Sequence, residues 1–95
     1  MLENLARFDA EQSVLGSLLI DNSCLDKIGF ISQDDFYAPA HKKVFKKIKE
    51  MADLGKAFDI ITVPESFNES ELESVGGDAY IVELAKNTPT SKNVV

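Results

Sequence analysis

Pro39-Ala40-His41-Lys42-Lys43-Val44-Phe45-Lys46-Lys47-Ile48-Lys49-Glu50-Met51-Ala52-Asp53-Leu54-Gly55 carries the strongest helical signal in the sequence. Val44, Phe45, Ile48, Met51 and Ala52 recur at helical spacing and form one apolar stripe. Proline is tolerated in a first turn, where its missing N–H has no partner to lose, and glycine accepts the left-handed turn that closes a helix. The stretch therefore predicts an amphipathic helix from Pro39 to Leu54, stopped by Gly55. With Phe45 and Ile48 inward, Lys42, Lys43, Lys46, Lys47 and Lys49 fall on the outward arc.

A stripe of that kind must be covered, and the flanking sequence supplies more helices to cover it. Upstream, Asp9 and Gln12 have the spacing of a capping box, and Val14, Leu15, Leu18 and Leu19 then predict a helix over roughly 10–20. Gly16 costs about 1 kcal/mol against alanine in a helix interior, so its presence, with Ser17 beside it, points to close approach of another helix. Asp21-Asn22-Ser23 breaks the chain and caps a second short helix carrying Cys24, Leu25 and Ile28 and reaching about Phe30. Ser32 and Asp35 are expected to cap a single turn carrying Phe36 and Tyr37.

Downstream, Ile60-Ile61-Thr62-Val63 is β-branched, yet four residues with no partner strand make a poor sheet. Thr62 and Glu65 have capping-box spacing with Pro64 between them, so a helix is expected to start at Thr62 and bury Phe67. The loop before it is expected to be anchored by Phe58, Ile60 and Ile61. Glu69 to Val75 reads as an acidic helix ended by Gly76-Gly77. Asp78 leads a last helix with Tyr80, Ile81, Leu84 and Ala85 inward, stopped by Asn87 and Pro89. The expected fold is all-α, a compact bundle of five to six short helices over residues 1–87, with 88–95 a polar linker. Phe36, Phe45, Ile48 and Leu84 are the expected core.

The 95 residues make one domain at most, with Lys+Arg 10 against Asp+Glu 16 and a net charge of −6. The most apolar run, Val14 to Ile20, is far short of the ~20 residues a membrane span needs. The start lacks the basic, apolar and small-residue sequence of a secretion signal, and the single Cys24 forms no internal disulfide; both fit a reducing cytoplasm. The negative charge counts against phosphate binding by the whole surface, but Lys42, Lys43, Lys46, Lys47, Lys49 and Lys56 gather the basic charge in one region. That arc reads as a docking or solvated face more readily than as a DNA site, because no aromatic residue is interleaved to stack bases and Glu50 and Asp53 dilute it.

Chemistry is thinly represented. One His and one Cys cannot make the zinc patterns. His41 reads as a hydrogen-bonded core or boundary residue, and Cys24 as a small hydrophobe on an apolar stripe. Asp34-Asp35 are acids favoured by a helix start, and Gly76-Gly77 lacks the strand and lysine of a phosphate loop. No catalytic, cofactor-binding or metal-ligating residue is assigned. From residues alone the chain is a helical module that binds more readily than it catalyses.

Taken in order, Ala10-Glu11-Gln12-Ser13-Val14-Leu15-Gly16-Ser17-Leu18-Leu19-Ile20-Asp21-Asn22, Asp34-Asp35-Phe36-Tyr37 with His41 and Phe45, Asp59-Ile60-Ile61-Thr62, Ser74-Val75-Gly76-Gly77-Asp78-Ala79-Tyr80 and Asn87-Thr88-Pro89 form a recognisable series. It resembles the N-terminal domain of DnaB-type bacterial or phage replicative DNA helicases, over about Phe8 to Val95. One departure lies at Leu5-Ala6-Arg7-Phe8-Asp9, where the family often has a proline-led stretch. The resemblance implies a parent that is a ring-shaped hexamer unwinding duplex DNA with ATP and magnesium in a RecA-like motor. A helical hairpin and linker would join that motor to this head, and the chain ends where the hairpin would begin.

In such a parent the head domains form a collar on which primase docks, so the resemblance implies a non-catalytic assembly and docking module. The family's tyrosine implicated in primase contact falls on Tyr80 here, which could equally be a core tyrosine with its hydroxyl at the edge. Without the hairpin, weak primase binding and a monomer or loose dimer are expected. The alternatives are a stand-alone DNA-binding module using the Lys42–Lys56 stripe and a motorless adaptor of the same family.

Overall fold

Every regular element among the described residues is helical. The computed structural model describes residues 2–28 and 31–86. In order these are α1 (Leu2–Ile20), α2 (Cys24–Lys27), a 3-10 turn (Gln33–Asp35), α3 (Pro39–Asp53), α4 (Thr62–Ser66), α5 (Glu69–Ser74) and α6 (Gly77–Lys86). The all-α bundle expected from the sequence is the fold observed. Asn87, Pro89 and the 88–95 linker lie outside the described residues, as does Phe30.

α3 is the axis of the core. Its Val44, Phe45 and Ile48 have no exposed surface, Met51 is buried, and Ala52 packs at the edge. Full burial of such a side chain contributes roughly 1.5–3 kcal/mol. The helix closes as its sequence requires: Leu54 caps it, Gly55 takes φ 72°, and the Gly55 and Lys56 amides donate to the Ala52 and Met51 carbonyls at 2.9 Å. α1 lies against both α3 and α6, and α4 also bridges α3 and α6, bringing in Leu15, Leu18, Leu19, Val63, Ile81 and Leu84. Phe36 stacks obliquely on Phe45, ring centroids 4.9 Å apart. Gly16 is buried inside α1.

Several boundaries differ from expectation. α1 begins at Leu2, so Asp9 sits inside the helix and caps nothing. The stretch before it contains no Gly or Pro, and Phe8 packs its ring on His41 with centroids 4.7 Å apart, so the helix runs on. α2 is a single turn ending at Lys27, and its capping work falls to Asp21, whose carboxylate accepts from the Ser23 hydroxyl and amide at 2.6 and 3.1 Å.

The Thr62–Glu65 box does not form. Asp59 instead accepts from the Ile61 and Thr62 amides, both at 2.8 Å, and its own amide donates to Thr62 Oγ1 at 2.8 Å. The box is shifted three places toward the N-terminus, to Asp59–Thr62. α4 consequently buries Val63 and Pro64 and leaves Phe67 only partly covered. Phe58 anchors the preceding loop, but Ile60 and Ile61 are 37% and 65% exposed. The loop is tied to the end of α1 by Asn22, whose side chain accepts from the Phe58 amide at 3.1 Å and donates to its carbonyl at 2.7 Å.

Ser32 and Asp35 form the reciprocal cap expected of them, on a turn that ends before Phe36, and α5 carries a further reciprocal box, Asn68 with Glu71, that the sequence reading missed. Gly76 and Gly77 then turn the chain with φ 104° and 78°. None of the described helices is long and apolar enough to cross a membrane.

Candidate functional site

Three helices each place one polar side chain on their own apolar stripe. Glu11 on α1 precedes Leu15 and Leu18 by one and two turns, His41 on α3 precedes Phe45 and Ile48 in the same way, and Tyr80 on α6 precedes Leu84. Glu11 is 7% exposed and His41 fully buried. A buried polar group must be partnered or it destabilises the fold, and these three partner one another.

One placement of protons satisfies every group. Gln12 Nε2 donates to the Tyr80 hydroxyl oxygen at 3.2 Å, and Tyr80 donates its O–H to His41 Nε2 at 2.6 Å. The opposite ring nitrogen, Nδ1–H, then donates to Glu11 Oε1 at 2.8 Å. The Glu11 carboxylate also accepts from the backbone amides of Tyr37 and, at 3.2 Å, Ala38. Ala38 is the N-cap of α3 and has no oxygen in its side chain to offer, so a carboxylate from another helix occupies the positive end of α3. Arg7 adds a partly exposed guanidinium 3.8 Å from Glu11 Oε2, and Phe8 lies against the His41 ring.

The electrostatics follow from these partners. Burial alone would raise the Glu11 carboxyl, but the Tyr37 amide, the His41 ring and the Ala38 amide outweigh it and hold the group below its ordinary value of 4.5. Tyr80 moves the other way. Burial and the nearby Glu83 and Glu11 charges raise its phenol above the ordinary 10.0, against a lowering by Gln12.

A tyrosine, a histidine and a carboxylate in sequence have the order of a nucleophile, its base and an orienting group. The energetics run against that use. An activated nucleophile has its ionisation lowered, whereas that of Tyr80 is raised, and its oxygen is bonded to both His41 and Gln12. The arrangement ties α1, α3, α6 and the turn before α3 into one rigid head. His41 is the hydrogen-bonded core histidine expected from the sequence. Tyr80 is half-buried with its hydroxyl held inside the domain. Sequence reasoning read Gln12 only as the capping partner of Asp9 and missed Glu11; the signal was a carboxylate in register with Leu15 and Leu18. Among the described residues no three His, Cys, Asp or Glu side chains gather into a metal-binding group.

The basic arc of α3 is less uniform than its sequence suggests. With about 100° of rotation per residue, Lys42 and Lys49 lie about 40–60° to one side of Lys46, where they are half-buried, and Lys43 and Lys47 lie about 60–100° to its other side. Lys43, Lys46 and Lys47 open onto a groove completed by Glu50, Phe67 and Glu71. Lys43 Nζ donates to Ser74 Oγ at 3.0 Å, Lys47 pairs with Glu50 at 3.3 Å, and the Lys47 ammonium stands 5.2 Å from the centre of the Phe67 ring. Lys46 is exposed and makes no ion pair among the described residues. An aromatic ring therefore does stand beside the lysines, contributed by the segment after α4 and not by α3.

Comparison with known proteins adds the remaining evidence. Residues 3–95 match the family described as the DnaB-like helicase N-terminal domain. The chain is 44% identical over 89 residues to the replicative DNA helicase DnaB of Pasteurella multocida, covering 92% of this chain and 19% of that one. It is 40% identical over 88 residues to the replicative DNA helicase DnaB of Geobacillus stearothermophilus, covering 90% and 19%. It thus spans about a fifth of the length of these relatives. Among solved structures, the N-terminal domain of the DnaB helicase from Mycobacterium tuberculosis superposes with a TM-score of 0.79 at 34% identity, covering 88% of this chain and 62% of that chain.

Proposed function

The chain belongs to the DnaB-like helicase N-terminal domain family, and from that premise we propose that it is the non-catalytic head of a replicative helicase, serving ring assembly and primase docking. The whole protein in this reading is a cytoplasmic hexamer that unwinds duplex DNA, with ATP and magnesium handled by a motor outside these residues. The observation that carries the reading is the match over residues 3–95 to a head domain at 34–44% identity. The internal relay fits it, because Glu11, His41 and Tyr80 are bonded to one another and to the backbone, as suits a rigid support whose work is done by its surface. Docking would use the α6 side around Tyr80 and the α3 lysines Lys42, Lys43, Lys46, Lys47 and Lys49.

The test is to delete residues 1–86 from the whole protein and measure two activities separately. Primase binding is expected to be lost while DNA-stimulated ATP hydrolysis persists. Primase binding at full strength by the shortened protein would refute the docking role.

A further inference from the structure

The groove on α3 combines features that neither a solvated lysine face nor a nucleic-acid track requires together. Its floor holds the Phe67 ring, partly buried, and its rim holds Lys43, Lys46 and Lys47. The two carboxylates in its wall are already engaged: Glu50 with Lys47, and Glu71 with the Asn68 amide at 3.3 Å. Among the described residues Lys43 meets only a neutral hydroxyl and Lys46 makes no ion pair, so neither ammonium is paired beside the apolar floor, and the three lysines of the groove outnumber its two carboxylates.

We propose that this groove binds a short acidic peptide segment bearing an apolar anchor, with the anchor on Phe67 and carboxylates on Lys43 and Lys46. Charge complementarity selects that occupant. The chain carries net charge −6, so a basic groove on it attracts a local cluster of acids while the remaining surface repels a long polyanion. Glu65, Glu69 and Glu73 are exposed on α4 and α5, the elements that flank Phe67, and their charge disfavours a long acidic ligand. Nucleic acid fits less well, because a base stacks on an open ring face and Lys47 already occupies one face of Phe67. The inference rests on the docking reading only in taking the α3 lysines as a binding face.

The experiment titrates the 95-residue chain into a fluorescein-labelled peptide of alternating Asp and Glu ending in Leu-Phe and follows anisotropy. Saturable binding is expected. It should weaken about fivefold or more with Lys46→Glu, by a similar factor when Leu-Phe is replaced by Gly-Gly, and less than about twofold with Lys27→Glu on α2, which does not line the groove. No binding by the wild-type chain, equal losses for Lys27→Glu and Lys46→Glu, or tighter binding of labelled oligothymidylate than of the peptide would each overturn the proposal. A parallel titration with primase separates the two readings: peptide binding lost in Lys46→Glu with primase binding intact supports the groove and removes Lys46 from the primase surface.

Discussion

The Tyr80 hydroxyl donates to His41 Nε2 at 2.6 Å, and the two rings lie within 7° of parallel with centroids 5.9 Å apart. This bond joins α6 to α3 at a point where α3 is already held to α1 by Glu11. Three short helices thereby acquire a fixed mutual orientation that apolar stripes alone, being non-directional, do not impose.

Tyr80→Phe keeps the ring and removes the hydroxyl. His41 Nε2 and the Gln12 amide then lose a shared partner in a partly buried site, at a cost of about 1–3 kcal/mol. For a domain of this size that lowers the melting temperature by roughly 5–20 °C. Thermal unfolding followed by circular dichroism measures it, and an unchanged midpoint would show that the bond contributes nothing.

Glu11→Gln is nearly isosteric but turns half of the acceptor group into a donor. At least one of the Tyr37 amide, the Ala38 amide and His41 Nδ1 must lose its acceptor, and the negative charge at the start of α3 disappears. Hydrogen bonds to charged groups contribute about 1.5–3 kcal/mol, so a loss of that order is expected in urea unfolding at neutral pH.

The same carboxylate sets a pH dependence. Its folded-state value lies below the ordinary 4.5, so in that region the unfolded chain binds the additional proton. Stability from Glu11 is therefore complete above about pH 4.5 and is lost as pH falls through the lower folded-state value. Asp59, lowered by the Thr62 and Ile61 amides, adds to the trend in the same direction. The unfolding midpoint should fall on acidification, and more shallowly in Glu11→Gln than in the wild type. Identical acid slopes for the two proteins would remove Glu11 from the account.

How legible these features were in the sequence depended on whether their cause was local. α3 was readable from end to end because Pro39, the stripe and Gly55 act within a few residues of one another. Phe36, Phe45, Ile48 and Leu84 are all buried as expected. The start of α1 was misplaced because Asp9 and Gln12 match a capping spacing by composition, while the helix is extended by a contact between Phe8 and His41 that no local pattern contains. At Asp59-Ile60-Ile61-Thr62-Val63-Pro64-Glu65 two overlapping boxes competed; Asp59 prevails by taking two amides at once. The relay was the least legible feature, since Glu11 is buried by amides 26 and 27 residues away.

Gly76 and Gly77 share a left-handed conformation but differ in surroundings. A Cβ on Gly76 would lie 2.7 Å from Tyr80 Cβ at φ +104°, whereas one on Gly77 would meet nothing within 4 Å. Gly76→Ala combines backbone strain with a collision against the backbone-proximal part of Tyr80 and should destabilise by more than about 2 kcal/mol; Gly77→Ala carries strain alone, about 1–2 kcal/mol. Equal melting temperatures for the two variants would contradict the close approach.

Gly16 is buried in α1, where leucine must displace packed neighbours. Gly16→Leu is expected to lose roughly 1–3 kcal/mol by overpacking, read as a lower urea midpoint. A midpoint equal to that of the parent would count against it.

The docking role is tested most directly by adding primase to the 15N-labelled chain and following its amide resonances, a measurement that detects weak binding. The account predicts progressive, saturable shifts confined to the exposed faces of α3 and α6, with the buried amides of Leu15, Leu18 and Ile48 unmoved. No shift at any primase concentration, or shifts spread evenly through the core, would contradict it.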